Sequence, residues 1–153
     1  IVMGDILAGA LFGTGISVIV FGACALILQI PLGSMPLLLA GFVAGSLAFA
    51  ALGTLLASPT TDNPSNIMML SSLVRLPLIF ISGIFIPLSQ LSGWFFIITS
   101  ISPLTYLVDL FHAALTGNAV YPAWLDLLVL VLVSLLFAVA AKIIQQRNLV
   151  KGI

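Results

Sequence analysis

Four long runs of apolar residues, separated by short polar segments, dominate the pattern of this chain. Each run holds about 20 residues or more, and at about 1.5 Å of rise per residue such a helix crosses a hydrocarbon core of about 30 Å. Residues 31–36 and 58–63 supply the polar turns between the first three runs. We therefore predict four membrane-spanning helices, over residues 6–29, 37–57, 66–86 and 122–141.

The stretch from Asn63 to Gly117 is apolar but is interrupted by proline, glycine and serine at several points. Asn63 is a good helix N-cap, and Gly117 is a good C-cap. After the third span come two segments, residues 89–100 and 102–116, that are too short to cross a bilayer. Irregular backbone at membrane depth must be buried in protein or face water. We therefore predict that the two segments form a re-entrant helical hairpin.

The predicted fold is an all-α integral membrane protein, with a bundle of four transmembrane helices and a re-entrant hairpin between the last two. We treat residues 1–153 as one transmembrane domain. Small residues recur at four-residue spacing in the first two spans, as in Gly9 with Gly13 and Gly41 with Gly45. This spacing lets helix backbones approach closely, so we expect these faces to pack against other helices.

Composition makes lipid the solvent of this chain. It is 62% hydrophobic and only 5% charged, whereas a soluble domain is about one quarter charged. The formal net charge is zero, so nothing predicts a nucleic-acid partner. Because residue 1 is isoleucine and the first residues already resemble the foot of a membrane helix, we expect the chain to be a fragment or a processed product.

Three of the four basic residues, Lys142, Arg147 and Lys151, follow the last span. The positive-inside rule therefore predicts a cytoplasmic C-terminus. Counting back through four spans places the hairpin outside the cell. Aromatic residues mark membrane surfaces, and four of them fall at this predicted outer interface: Trp94, Tyr106, Tyr121 and Trp124.

Motifs for nucleotide or metal chemistry are missing. The sequence has no phosphate-binding loop, no dinucleotide fingerprint and no HExxH, and its single cysteine, Cys24, has no partner. We therefore predict no catalytic residue, no cofactor and no metal site. An enzyme would have to use Asp109 and His112, which share a helical face and could form a proton relay or half a metal site. The alternative is a hydrogen-bonded pair at the outer membrane surface.

Arg75 lies about nine residues into the third span, near the middle of the membrane. An arginine there costs between about 2.5 and 10 kcal/mol, depending on snorkelling and access to water. It could line a substrate path, or pair with Asp109 across the hairpin; alternatively, a buried pair could serve only helix packing. Asp126 in the first turn of the last span suits the helix dipole.

Two motifs carry a family resemblance. The run LPLIFISGIFIP, residues 76–87, and the run SPLTYLVD, residues 102–109, followed by Gly117, resemble the hallmarks of the membrane subunit of type-2 ABC exporters. In that family a spanning helix with a P…F-SG-F-P pattern leads into two short extracellular re-entrant helices, and the second begins P-L-T-Y. His112 departs from the family, which often has an arginine a few residues after the aspartate.

The resemblance implies six spans per subunit, of which this chain would hold spans three to six. It implies that two permease subunits, as a homodimer or heterodimer, pair around a central path in the plasma membrane. ATP-binding-cassette ATPase subunits would dock on the cytoplasmic face, near residues 58–63. The third span would line the path, and the hairpin from Pro87 to Gly117 would form an extracellular gate.

Nine residues become candidates for the transport path or gate. They combine the residues of the two motifs with the two charged or titratable positions nearest to them: Arg75, Pro77, Ser82, Gly83, Pro87, Pro103, Tyr106, Asp109 and His112.

The predicted function is thus that of a non-catalytic permease subunit of an ATP-driven exporter. The alternative is an ion-coupled secondary transporter or channel in which Arg75 and Asp109 carry the coupling. Broken helices near a charge fit that class, but the breaks here fall at the outer surface and not at mid-membrane. The sequence does not identify the cargo among drugs, glycans, lipids and ions.

Overall fold

The computed structural model describes residues 1–31, 33–58, 63–82, 84–86 and 90–150. Within these ranges the chain forms six helices and no strand. They are α1 (Val2–Leu28), α2 (Met35–Ala57), α3 (Pro64–Ile81), α4 (Trp94–Ile101), α5 (Pro103–Thr116) and α6 (Ala123–Val150). The helices α1, α2, α3 and α6 are long and apolar enough to cross a membrane. The prediction of an all-helical protein with four candidate spans is confirmed.

Two helix ends depart most from the predicted spans. The helix α3 ends at Ile81 and not at residue 86, with Ser82 as its C-cap. The Ser82 hydroxyl donates a hydrogen bond to the Ile79 carbonyl at 2.8 Å. At its far end, α6 continues past residue 141 to Val150. Its 28 residues measure about 42 Å, so the helix extends beyond a hydrocarbon core of about 30 Å.

The helix α2 lies at the centre of the bundle, between α1, α5 and α6. Its buried positions are mostly small residues, which include Gly41, Ala44, Gly45, Ala48 and Ala51. These positions recur every three or four residues and so share one helix face, which other helices can approach closely. The small residues of the second span are therefore a packing surface, as predicted.

Close approach is clearest between α1 and α2. A Cβ atom added to Gly9 would lie 3.1 Å from the Ala50 Cβ, and one added to Gly13 would lie 3.2 Å from the Ser46 Oγ. Contacts that tight leave no room for a larger side chain on α1. The glycine pair of the first span therefore sets the distance between these two helices.

The two ends of the bundle are each tied by a hydrogen bond. At one end, the Asn148 amide of α6 donates to the Ser58 carbonyl after α2, at 2.9 Å. At the other end, the Ser34 N–H before α2 donates to the Ala114 carbonyl near the end of α5, at 2.9 Å. We call the latter the corner end, because α5, which ends there, begins at the bend between α4 and α5, about 18 Å further along its axis.

The helix α3 is the least embedded element. None of its residues is buried, and its main contacts are with α2 and α5. Asn63 begins the helix as predicted, because its side chain accepts a hydrogen bond from the Ser65 N–H at 3.3 Å. The helix α1 is also largely exposed. Both helices therefore present apolar surface outward.

Candidate functional site at the corner end

The helices α4 and α5 meet at a bend of 92°. Only Ser102 separates them, with an extended backbone at φ −75° and ψ 126°. Pro103 follows as the first residue of α5, where a missing N–H costs nothing and the fixed φ suits a helix. Gly117 ends α5 with φ 75°, a left-handed conformation that glycine adopts without strain. The predicted cap at Gly117 is confirmed.

Side chains of α5 satisfy the last carbonyls of α4. The Thr105 hydroxyl donates to the Thr99 carbonyl at 2.6 Å, and the Tyr106 hydroxyl donates to the Ser100 carbonyl at 2.8 Å. Carbonyl groups at a helix C-terminus lack partners within the helix, and leaving them unpaired in an apolar setting costs free energy. The threonine and tyrosine of the P-L-T-Y run therefore stabilise the bend between α4 and α5.

Asp109 lies one turn further along α5 and is only 3% exposed. Its carboxylate accepts a hydrogen bond from the Val120 N–H at 3.0 Å and another from the Tyr121 N–H at 2.8 Å. Two backbone donors on one carboxylate are charge-assisted bonds, stronger than neutral ones. Asp109 therefore holds the segment that leads into α6.

Tyr121 links the segment before α6 to α4. Its hydroxyl lies 3.0 Å from the Ser100 Oγ, and its ring lies 5.5 Å from that of Tyr106, centroid to centroid. We call this set the corner network, which joins α4, α5 and the segment that leads into α6: Thr99, Ser100, Thr105, Tyr106, Asp109, Val120 and Tyr121. The network is polar and largely screened from solvent, and it surrounds the bend between α4 and α5.

Asp126 is a second buried carboxyl at this end, and sequence reasoning missed its burial. It lies in the first turn of α6, as the helix-dipole interpretation required, but it is completely buried and neither carboxyl oxygen has a hydrogen-bond partner among the described residues. Leu130, one turn later, is also completely buried. The spacing of four residues places Asp126 and Leu130 on one helix face. That shared face was the signal in the sequence from which the burial of Asp126 could have been predicted.

Two cavities lie beside α3. One, of about 400 Å³, lies between α1, α2, α3 and α5. The other, of about 380 Å³, lies between α2, α3 and the start of α5. Arg75 and Phe49 line both.

Comparison with known proteins decides the family. A model of the family described as ABC-2 family transporter protein matches residues 1–142. The chain belongs to this ABC-2 transporter family. No curated protein and no solved structure matches the chain. The family provides membrane transport components, so this ABC-2 protein is a transporter permease, and its four apolar helices agree with that assignment.

The structure separates the candidate residues of the ABC-2 permease into two groups. Pro103, Tyr106 and Asp109 lie on α5, from its first residue at the bend onwards, and all three are buried or half-buried. Ser82 is also buried, as the C-cap of α3. Arg75 and Pro77 lie within α3 and are exposed. Gly83 and Pro87 lie outside the described residues.

The two pairings considered for Asp109 are not formed in the part of the chain that the structure describes. Its oxygens bond to backbone N–H groups, not to Arg75. His112 is exposed while Asp109 is buried, so the two side chains occupy different environments. Within the described ranges, no three histidine, cysteine, aspartate or glutamate side chains are grouped to hold a metal ion.

Proposed function

We propose that this chain is the permease subunit of an ATP-driven exporter, and that it forms the substrate path together with a second permease subunit. The observation that carries the proposal is the family match over residues 1–142. The energy source in this proposal is a separate ATP-binding-cassette ATPase on the cytoplasmic face. The chain has no phosphate-binding loop of its own.

We propose that α4 and α5 are the two halves of a re-entrant extracellular gate. The helices have 8 and 14 residues, about 12 and 21 Å, so each is shorter than a hydrocarbon core of about 30 Å. Their sharp bend and shared hydrogen bonds support a hairpin that enters and leaves by one surface. Because the corner network also includes the segment that leads into α6, the gate would move together with that helix.

In this proposal α3 lines the path and faces the second subunit. Because none of its residues is buried, its surface is available to a partner helix. ATP binding would draw the ATPase halves together, and the permease subunits would respond by rigid-body rotation. The bond from Asn148 to Ser58 would join α6 to the loop that we place near the ATPase. The numbering as spans three to six belongs to the same proposal.

The alternatives receive less support from the contacts. A coupling carboxylate must exchange its ion or proton, whereas both oxygens of Asp109 are held by backbone N–H groups. An enzyme based on Asp109 and His112 would need the two groups to act on one substrate, but one is buried and the other is exposed.

The test is purification of the tagged full-length protein from its native membrane in mild detergent. We expect an ATPase subunit with a phosphate-binding loop to co-purify, and ATP-dependent transport to appear when both are reconstituted in vesicles. As a control, an ATPase whose phosphate-loop lysine is replaced by alanine should assemble but not drive transport. Transport by the permease alone, driven by an ion gradient, would contradict the proposal.

A further inference from the structure

We propose that the two cavities beside α3 form a binding site for an amphipathic organic anion, with the Arg75 guanidinium as the group that binds the anionic head. The ligand class is a single-chain or aromatic molecule with one carboxylate, sulfonate or phosphate. That this ligand is the exported cargo rests on the proposed function; that it binds at this site does not.

The position of Arg75 is the first argument. It is the twelfth residue of α3, six residues before the helix ends at Ile81, so its Cα lies about 16 Å from one helix end and about 9 Å from the other. A guanidinium at that depth of a membrane helix is costly without a counter-charge or water. Among the described residues, no carboxylate lines either cavity. A bound oxyanion would supply the missing charge.

The chemistry of arginine narrows the head group. The guanidinium is planar and always charged, and its fork of N–H donors matches the two oxygens of a carboxylate, sulfonate or phosphate. A lysine at this position would offer a point charge without the fork. The site should therefore prefer an oxyanion to a halide or a neutral polar group.

The walls define the rest of the ligand. The larger cavity is lined by the aromatic rings of Phe42, Phe49 and Phe111, and by the hydroxyl-bearing residues Ser17 and Ser46. Volumes of about 400 and 380 Å³ lie within the range of about 300–1,000 Å³ typical of small-molecule sites. An apolar or aromatic body of drug size would fill such walls.

The smaller cavity extends the site towards the gate. Its lining residues, besides Phe49 and Arg75, are Leu78 and Ile79 of α3 and Leu104 of α5. Leu104 directly follows Pro103 at the bend. A ligand held by Arg75 would therefore contact the first turn of α5, directly beside the bend between α4 and α5.

The test uses the full-length protein in nanodiscs of phosphatidylcholine and two fluorescent probes with one shared body. One is 1-anilinonaphthalene-8-sulfonate, and the other is the neutral N-phenyl-1-naphthylamine. We expect Arg75→Gln to weaken the affinity for the sulfonate probe about tenfold or more, a loss of about 1.4 kcal/mol of binding free energy. The affinity for the neutral probe should change less than about threefold, or about 0.7 kcal/mol. Arg75→Lys should restore part of the affinity.

A second variant tests the walls. Ser17→Leu fills the larger cavity and should weaken both probes. Gly15→Leu, also on α1, adds the same side chain where no described atom lies within 4 Å of an added Cβ, and it should weaken neither. Unchanged sulfonate binding in Arg75→Gln would overturn the proposal. An equal loss of both probes in that variant would overturn it too, since it would indicate a structural role.

Two further arms separate the sources of the anion and the two proposals. In the first arm, the protein is placed in nanodiscs of phosphatidylglycerol. If this lipid displaces the sulfonate probe from the parent protein but has no such effect in Arg75→Gln, the site binds a two-chain lipid, and our ligand class is overturned. In vesicles with the ATPase, binding without ATP-driven probe movement would refute the link to export and leave the site standing. Transport that is unchanged in Arg75→Gln, with unchanged binding, would refute the site alone.

Discussion

Replacing Asp109 by alanine is expected to lower the free energy of unfolding by about 2–4 kcal/mol. The change removes the acceptor for the Val120 and Tyr121 N–H groups, and each buried N–H left without a partner costs about 1–3 kcal/mol. Val120 is exposed, so water can replace part of its bond. Asp109→Asn should lose about half as much, because its amide keeps one acceptor oxygen. Denaturant unfolding in detergent micelles measures both.

Asp126→Asn is the matched control for this prediction. Asp126 is also an aspartate, also buried and also at the corner end, but its oxygens accept no hydrogen bond from any described residue. Burying a charge without a partner is unfavourable, so its replacement by the neutral amide should change stability by less than about 1 kcal/mol or raise it. Equal destabilisation by Asp109→Ala and Asp126→Asn would contradict the contacts described for Asp109.

The same contrast shows what sequence could and could not predict at the site. Ser102, Thr105, Tyr106 and Asp109 follow one another at spacings of three, one and three residues, which places polar groups on one face of an apolar helix. That stripe indicates a polar interface. The partners of Thr105, Tyr106 and Asp109 could not be predicted, because they are backbone atoms of α4 and of the loop before α6. Contacts between distant segments depend on the packed fold.

The fold was more predictable than the site. Hydropathy and length identify spanning helices because a bilayer demands about 20 apolar residues, and all four candidate helices were found. Helix ends were less predictable where a local hydrogen bond decides them, as at Ser82. The environment of Arg75 could not be predicted from the sequence, since only the packed helices determine whether a carboxylate or a cavity lies beside it.

Replacing Gly33 by alanine is expected to cost about 3 kcal/mol of stability, at the upper end of what overpacking usually costs. A Cβ atom at Gly33 would overlap the carbonyl oxygen of Ala114 and lie 3.3 Å from the Leu115 Cα. These are backbone atoms of α5, which cannot rotate away as a side chain can. The connection would have to move, and the bond from the Ser34 N–H to the Ala114 carbonyl would lengthen or break. The unfolding midpoint in detergent measures the loss.

Gly22→Ala is the control, because it makes the same substitution within α1 where no described atom lies within 4 Å of an added Cβ. Alanine is favoured over glycine in a helix interior by about 1 kcal/mol, so this variant should be as stable as the parent or more stable. Opposite signs for the two substitutions would follow from the close contact between Gly33 and α5. Because that contact joins the α1–α2 connection to the last turn of α5, loosening it should also weaken the attachment of the proposed gate, and equal stability of the two variants would argue against both effects.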